Sequence, residues 1–148
     1  SFLLKISNSL IFVSVFYLLL CLSLPLLFYK ILKEKFKTDD IIIFYLSIII
    51  FLSPYFRSSA IWLLGDNLSL IFFSASIIYF LKFEQDKEKR KFIYLSISFL
   101  VACCYIRYYY GIFYLYYLYY FFKNLDKKFL KKILLFSFFL SIPAFFYF

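Results

Sequence analysis

The chain lacks most of the residues with which soluble enzymes build their sites. Its 148 residues include no histidine, no methionine, 2 glycines and 3 prolines, with 8 acidic residues against 17 basic ones. No Gly-rich phosphate loop is present, and the lack of histidine and of metal-ligand clusters argues against zinc or haem chemistry. The three cysteines, Cys21, Cys103 and Cys104, lie inside apolar runs and are expected to be small core residues. We therefore expect no metal, no cofactor and no nucleotide site.

What the chain has in excess is apolar surface. Hydrophobic residues make up 66% of it and aromatic residues 28%, and the mean hydropathy is +0.89. A water-soluble domain could not cover such a core with polar side chains. The repeated uncharged runs indicate an all-α, polytopic membrane protein. We predict one transmembrane domain over residues 1–148, with six helices at 6–29, 41–56, 67–81, 92–106, 109–122 and 133–148.

One long run must be a hairpin. Residues 92–122 are interrupted only by the charge of Arg107. As a single helix they would extend about 46 Å, which exceeds the hydrocarbon core of a bilayer even when tilted. We therefore expect the chain to reverse near Arg107.

Basic residues gather in three short loops, at residues 30–40, 82–91 and 123–132. Together the loops hold 14 of the 17 basic residues. Cytoplasmic loops of membrane proteins are enriched in Lys and Arg, so all three are predicted to face the cytoplasm. Anionic lipids of the inner leaflet are the expected partners of these loops, and no nucleic acid is expected. The localisation that follows is an integral membrane protein, in the inner membrane if the source is bacterial.

Four charged residues lie outside the loops: Lys5, Arg57, Asp66 and Arg107. The last three fall where apolar runs reverse, on the face opposite the basic loops. Charges at membrane depth are costly, so each is a candidate site residue. Two simpler roles remain open: an N-cap for Asp66, and interfacial snorkelling for the arginines, beside Trp62 and 108–110 as aromatic anchors.

The segment from Ser53 to Asn67 allows two geometries. In the first, Pro54 ends the second helix and an interfacial stretch leads to a new helix capped by Asp66. In the second, the helix begins near Ser58 and buries Asp66 about two turns deep. The first needs less desolvation of a carboxylate.

Two guanidinium groups and one carboxylate on the same face can form a polar pocket. Arg suits two-pronged recognition of phosphate, and a pocket of this kind at a membrane surface fits a lipid-linked phosphate or pyrophosphate. The predicted substrate-binding residues are Arg107, Arg57, Asp66, Asn67, Tyr108 and Tyr109. No catalytic residue is predicted within the chain.

These residues resemble a pattern in the GT-C superfamily of integral-membrane glycosyltransferases. The resemblance lies in Ser53-Pro54 through Trp62, in Gly65-Asp66-Asn67 opening a helix, and in Cys104 to Tyr110 ending the next one. It covers roughly residues 41–122. Two branches share the layout: the protein O-mannosyltransferases with the lipid A aminoarabinose transferases, and the dolichyl-phosphate-glucose-dependent glucosyltransferases. The second group follows its Arg with Gln-Thr-Asn, whereas three tyrosines follow Arg107 here.

The resemblance implies transfer of a sugar from a polyprenyl-phosphate donor to a lipid, glycan or protein acceptor outside the cytoplasm. In that family a carboxylate in the first extracytoplasmic loop deprotonates the acceptor, and a cation stabilises the departing phosphate. Arg107, with Arg57, would take the second role. No equivalent of the first carboxylate is visible, because Asp39 and Asp40 fall in a basic loop. The chain is therefore expected to be an internal piece of a longer protein.

Two other classes remain open. A flippase, a polysaccharide polymerase or another transporter would also have many spans, basic inner loops and outer arginines. Transporters usually carry charges or broken helices near the bilayer midplane, whereas the charges here lie at one end of the runs. A purely structural membrane subunit is the third class, and the combination of Asp66 with Arg107 disfavours it.

Overall fold

The computed structural model describes residues 10–36 and 39–145, so Lys5 and Lys37 lie outside the described residues. Within these ranges every regular element is a helix. The α-helices are α1 (Leu10–Cys21), α2 (Ser23–Lys35), α3 (Asp40–Ile48), α4 (Pro54–Ile61), α5 (Gly65–Gln85), α6 (Lys91–Ile106), α7 (Ile112–Asn124) and α8 (Lys127–Phe145). Short 3-10 helices at Ile49–Leu52 and Tyr108–Gly111 follow α3 and α6.

Among the described residues, two helical segments are long and apolar enough to cross a membrane. One is Phe12–Lys35, in which α1 continues into α2 through a turn at Leu22, and the other is α5. A third candidate is the pair formed by Asp40–Leu52 and α4, which is bent by 62°. Helix α6 is apolar but has only 16 residues. Membrane association of an all-helical protein is therefore supported by length and composition, and the prediction of six spans is not confirmed.

The predicted end of the second helix is wrong. The helix does not reach residue 56, because the 3-10 helix ends at Leu52 and Pro54 starts a new helix instead of only ending the old one. Ser53 is the N-cap: its Oγ accepts a hydrogen bond from the Phe56 N–H at 3.3 Å. Proline suits the first helical position because the N–H that it lacks would have had no partner there.

The three basic segments meet at one end of the bundle, as the charge pattern requires. Lys35 Nζ lies 3.6 Å from Glu84 Oε2, and Gln85 donates to Glu34 Oε2 at 2.7 Å. Lys87 donates to Asn124 at 3.4 Å, which connects the second segment to the third. Their placement on the cytoplasmic side stays a prediction.

The larger core cluster lies between α5, α6, α7 and α8. Phe83, Ile93, Ile97 and Phe121 are almost fully buried in it. At mid-height Ser76 and Ser96 exchange hydrogen bonds with each other's carbonyl oxygens, at 2.7 and 2.9 Å, and Tyr117 joins them at 3.1 Å. Small polar residues of this kind allow membrane helices to approach closely. Helix α5 packs against both α6 and α2. It is thus the central element that sets the relative position of the two ends.

Candidate functional site

The end of the bundle opposite the basic segments is built on one close approach between α5 and α6. A Cβ at Gly65, the first residue of α5, would lie 2.8 Å from Cγ2 of Ile106, the last residue of α6. Only glycine fits there without displacement of its neighbour. The contact places the residues that follow, Asp66 and Arg107, beside each other.

Asp66 and Arg107 form an ion pair with two contacts. Arg107 Nη2 donates to Asp66 Oδ2 at 2.8 Å, and Arg107 Nε lies 2.6 Å from Oδ1 without an aligned N–H. Tyr109 donates to Oδ1 at 3.3 Å, and Tyr55 is close enough to the carboxylate to interact with it electrostatically. Asp66 is only 7% exposed, and its charge is neutralised by Arg107, with a further hydrogen bond from Tyr109. A buried carboxylate needs such partners to remain ionised.

Arg107 is held as a cation but is not enclosed. Its side chain is 38% exposed, whereas that of Asp66 is 8% exposed. The hydrogen bond to Asp66 raises the pKa of Arg107 above its already high value, so the guanidinium stays charged at any physiological pH. Its third nitrogen, Nη1, has no partner among the described residues. The site therefore holds a fixed, partly exposed guanidinium.

The expectation that Asp66 caps α5 is wrong. The helix begins one residue earlier, at Gly65, and the N-cap position is Leu64, which makes no side-chain cap. Asp66 is in the first turn, where the helix dipole favours a negative charge, but its carboxylate bonds to Arg107 and Tyr109 instead of to backbone N–H groups.

The turn before α5 resolves the two geometries that the sequence left open. Helix α4 ends at Ile61, and the chain turns through Leu63, whose φ of 55° is rare for a residue with a branched side chain. Ser59 fixes the turn: its carbonyl accepts from Leu64 N at 3.0 Å, and its Oγ accepts from Asn67 N at 3.3 Å. A separate short helix thus leads to α5, and no helix runs continuously from Ser58.

The structure brings together three of the six predicted site residues: Asp66, Arg107 and Tyr109. Asn67 instead faces the interior at 2% exposure, and its amide donates to Phe56 O at 3.0 Å and to Cys21 Sγ at 3.5 Å.

The other two predicted residues lie outside the pair. Arg57 is exposed on α4 and has no ion pair among the described residues, and Tyr108 is 83% exposed. The predicted pocket of two arginines and one carboxylate is therefore reduced to one arginine and one carboxylate.

The sequence did not single out Ser59, which holds the turn that presents Asp66. Serine is common in this chain, so its residue type gives no signal. Its role depends on the turn between α4 and α5, which no spacing in the sequence specifies.

An apolar groove of about 550 Å³ lies between α6, α7 and α8. Tyr108, the neighbour of Arg107 in sequence, lines it together with Leu100, Val101, Leu134 and Phe138, whereas Asp66 and Arg107 do not. Within the described ranges no three His, Cys, Asp or Glu side chains come together as metal ligands. This end of the bundle therefore combines one partly exposed guanidinium with a nearby apolar groove.

Comparison of the chain with protein-family models, with curated proteins and with solved structures gave no significant match.

Proposed function

We propose that the chain belongs to a polytopic membrane glycosyltransferase and that Arg107 binds the phosphate of a polyprenyl-phosphate sugar donor. The observation that carries the proposal is the geometry of one pair. Asp66, itself bonded by Tyr109, fixes the Arg107 guanidinium on one side, and the Arg107 side chain is still 38% exposed. A preoriented guanidinium is suited to a phosphate, because little side-chain freedom is lost when the anion binds.

The apolar groove supports the same donor. Tyr108, directly after Arg107, lines it, and the residues of α6 and α8 that form its walls are mostly apolar. A free phosphate or sugar phosphate would leave this groove empty, whereas a polyprenyl chain could fill it while its phosphate contacts Arg107. The pairing of one cation with an apolar groove is the feature expected for a lipid-linked phosphate.

The chemistry assigned to Arg107 is stabilisation of the leaving group. When an acceptor hydroxyl attacks the anomeric carbon, the bond between that carbon and the phosphate oxygen breaks and the negative charge moves onto the phosphate. A fixed guanidinium stabilises that charge as it develops. Asp66 is a positioning residue, because its carboxylate is engaged with Arg107. The base that receives the acceptor proton is not assigned within this chain.

A transporter of lipid-linked sugars would need polar groups within the bilayer. The mid-height polar cluster of Ser76, Ser96 and Tyr117 is neutral and its members bond to one another. The 62° bend between Asp40–Leu52 and α4 is a broken helix of the kind that transporters also have. The proposal therefore rests on the ion-paired, partly exposed Arg107 and not on the helix pattern.

The test is donor binding by the purified chain in detergent, measured as displacement of a fluorescent polyprenyl phosphate by the sugar donor. Arg107→Gln should weaken binding about tenfold or more, because hydrogen bonds to a charged group are lost, and Arg107→Lys should weaken it less. Arg107→Gln also leaves Asp66 without its cation, so the thermal midpoint should fall. The double variant Asp66→Asn with Arg107→Gln should recover the thermal midpoint but not the binding.

Arg57→Gln is the matched control, since it removes an arginine from the same end that lies outside the pair. It should leave binding unchanged. Recovery of binding in the double variant would show that the pair only supports the fold and would contradict the proposal. An equal loss in Arg57→Gln would reduce the effect to general surface charge.

A further inference from the structure

A second groove runs along the other half of α5, toward the basic end. It has a volume of about 560 Å³ and lies between α2, α5 and α7. Its floor is a stripe of α5 at helical spacing: Phe73, Ile77, Phe80 and Leu81. Helix α7 forms one wall with Phe113, Tyr116 and Tyr117, and the end of α2 forms the other with Ile31 and Phe36. The groove is therefore apolar along most of its length.

The inner end of the groove is closed. The ring centroids of Phe73 and Phe113 lie 4.5 Å apart and join α5 to α7 at that point. From Phe73 to Glu84, at the opposite end, α5 rises about 16 Å. That is roughly half of a 30 Å hydrocarbon core, the depth of one leaflet. The length suits one extended acyl chain that enters from the basic end.

The outer end of the groove opens into a polar pocket of about 430 Å³. The two share Glu84 and Tyr116, so they form one continuous depression. Lys87, Lys123, Tyr119 and Asn124 line the polar part. An apolar channel thus leads directly to a cluster of amines and hydroxyls.

The charge of the polar pocket is positive. Lys87 bonds only to the neutral amide of Asn124, at 3.4 Å, and Lys123 has no ion pair among the described residues. The one carboxylate, Glu84, is paired with Lys35, with 3.6 Å between Oε2 and Nζ. Two uncompensated lysines are therefore available to an anion held at the mouth of the groove.

We propose that this depression is a binding site for one anionic phospholipid. The headgroup phosphate lies between Lys87 and Lys123, one acyl chain fills the groove as far as Phe73 and Phe113, and the second chain stays in the bilayer. Charge complementarity selects an anionic lipid, and the continuity of the lysines with the apolar channel selects a lipid over free phosphate. The site is at the opposite end from Arg107 and does not depend on the glycosyltransferase proposal.

Quenching of a single reporter indole tests the site. Tyr116→Trp introduces the reporter where the channel and the polar pocket meet, and Trp62→Phe removes the only natural tryptophan. The protein is reconstituted in phosphatidylcholine vesicles that contain either phosphatidylglycerol or phosphatidylcholine with brominated acyl chains. The brominated phosphatidylglycerol should bind beside the reporter about fivefold more tightly than the brominated phosphatidylcholine, as expected for one lysine contact or more.

The double variant Lys87→Gln with Lys123→Gln should reduce that preference to about one. Lys128→Gln with Lys131→Gln is the matched control: it removes the same charge from the same basic end at residues that do not line the depression, and it should keep the preference. Ile77→Phe, which narrows the channel floor, should lower quenching by both lipids. Equal quenching by the two lipids in the starting protein, or an equal loss in both double variants, would overturn the proposal.

Discussion

The two ends of the bundle carry charge in opposite ways. At the basic end the ion pairs are solvent-accessible. The side chains of Lys33 and Asp40 are 54% and 64% exposed, and those of Lys89 and Asp86 are 57% and 38% exposed. At the other end a single pair joins an 8% exposed carboxylate to a 38% exposed guanidinium. The ion pairs of the end with many charges are exposed, whereas the end with few charges has one pair in a fixed geometry, Asp66 with Arg107.

The difference follows from solvation. The two charges of an exposed ion pair are solvated whether or not the pair forms, so the pair contributes little to stability. An enclosed carboxylate without a partner would carry a large desolvation cost, and Asp66 is bonded to Arg107 and Tyr109. The number of charges is therefore the basis for predicting which end faces the anionic leaflet, whereas the burial of a charge indicates where a specific contact can be built.

The largest expected effect is a difference in cysteine labelling between the two ends of the bundle. It tests whether the two ends face opposite sides of the membrane. In a background without the three natural cysteines, Tyr108→Cys should react with an impermeant maleimide in intact cells, because Tyr108 is 83% exposed at the arginine end. Asp126→Cys, in the third basic loop, should react only after permeabilisation. Labelling of Asp126→Cys in intact cells, or the same labelling at both positions, would contradict the predicted orientation.

A smaller effect is expected from a methyl group at the contact between α5 and α6. Gly65→Ala places a Cβ 2.8 Å from Ile106 Cγ2, so it should destabilise the protein by about 1–3 kcal/mol, the usual cost of overpacking, and disturb the pair built on that contact. Thermal unfolding in detergent measures the stability.

Gly111→Ala is the control for that substitution, since a Cβ there meets nothing within 4 Å. Its thermal midpoint should be unchanged or slightly higher, because alanine reduces the freedom of the unfolded chain. If both variants unfold at the same temperature, the close approach does not constrain the arginine end.

The smallest effect concerns an exposed pair of the basic end. The hydrogen bond from Lys89, whose Nζ lies 2.6 Å from Asp86 Oδ2, lowers the pKa of Asp86 below its ordinary value. The folded value is thus below the unfolded one, so any stabilisation is present above the unfolded pKa of about 3.9 and is lost as the pH falls through the folded pKa.

Carboxyl NMR titration measures this shift directly. In Lys89→Gln the pKa of Asp86 should rise, while in Lys87→Gln, which removes a lysine that bonds to Asn124 instead, it should not change. The thermal midpoint above pH 5 should be the same in both variants. An unchanged pKa in Lys89→Gln would show that the contact has no effect on Asp86.

Parts of the fold could be predicted because they depend on local pattern. Uncharged runs predicted helices over α1 and over most of α2, α3 and α5 to α8, and the reversal near Arg107 was predicted from length alone. The helix around Pro54 was not predicted correctly, since a proline after a serine can end one helix and begin another at the same place. Which of the two occurs depends on whether the chain can bend at the preceding turn, and the packing of the other helices decides that.

The candidate site divides in the same way. Asp66 and Arg107 were singled out because isolated charges in apolar sequence need a reason. Their contact, however, requires Gly65 to bring α5 against Ile106, and the hydrogen bond from Tyr109 requires the 3-10 turn that follows Arg107. Arg57 has the same residue type and the same exposed end, yet it lies outside the pair.

By itself the sequence determined the helical class, the gathering of the basic residues at one end and the identity of the charges that need partners, because these follow from the cost of placing polar groups in apolar surroundings. Only the tertiary structure decided which contacts these residues make: Asn67 lies in the interior, Arg57 lies outside the pair, and Asp66 contacts Arg107. The physical reason is that helix packing fixes distances between residues about 40 positions apart in sequence, and the interactions that set those distances are spread over every helix of the bundle.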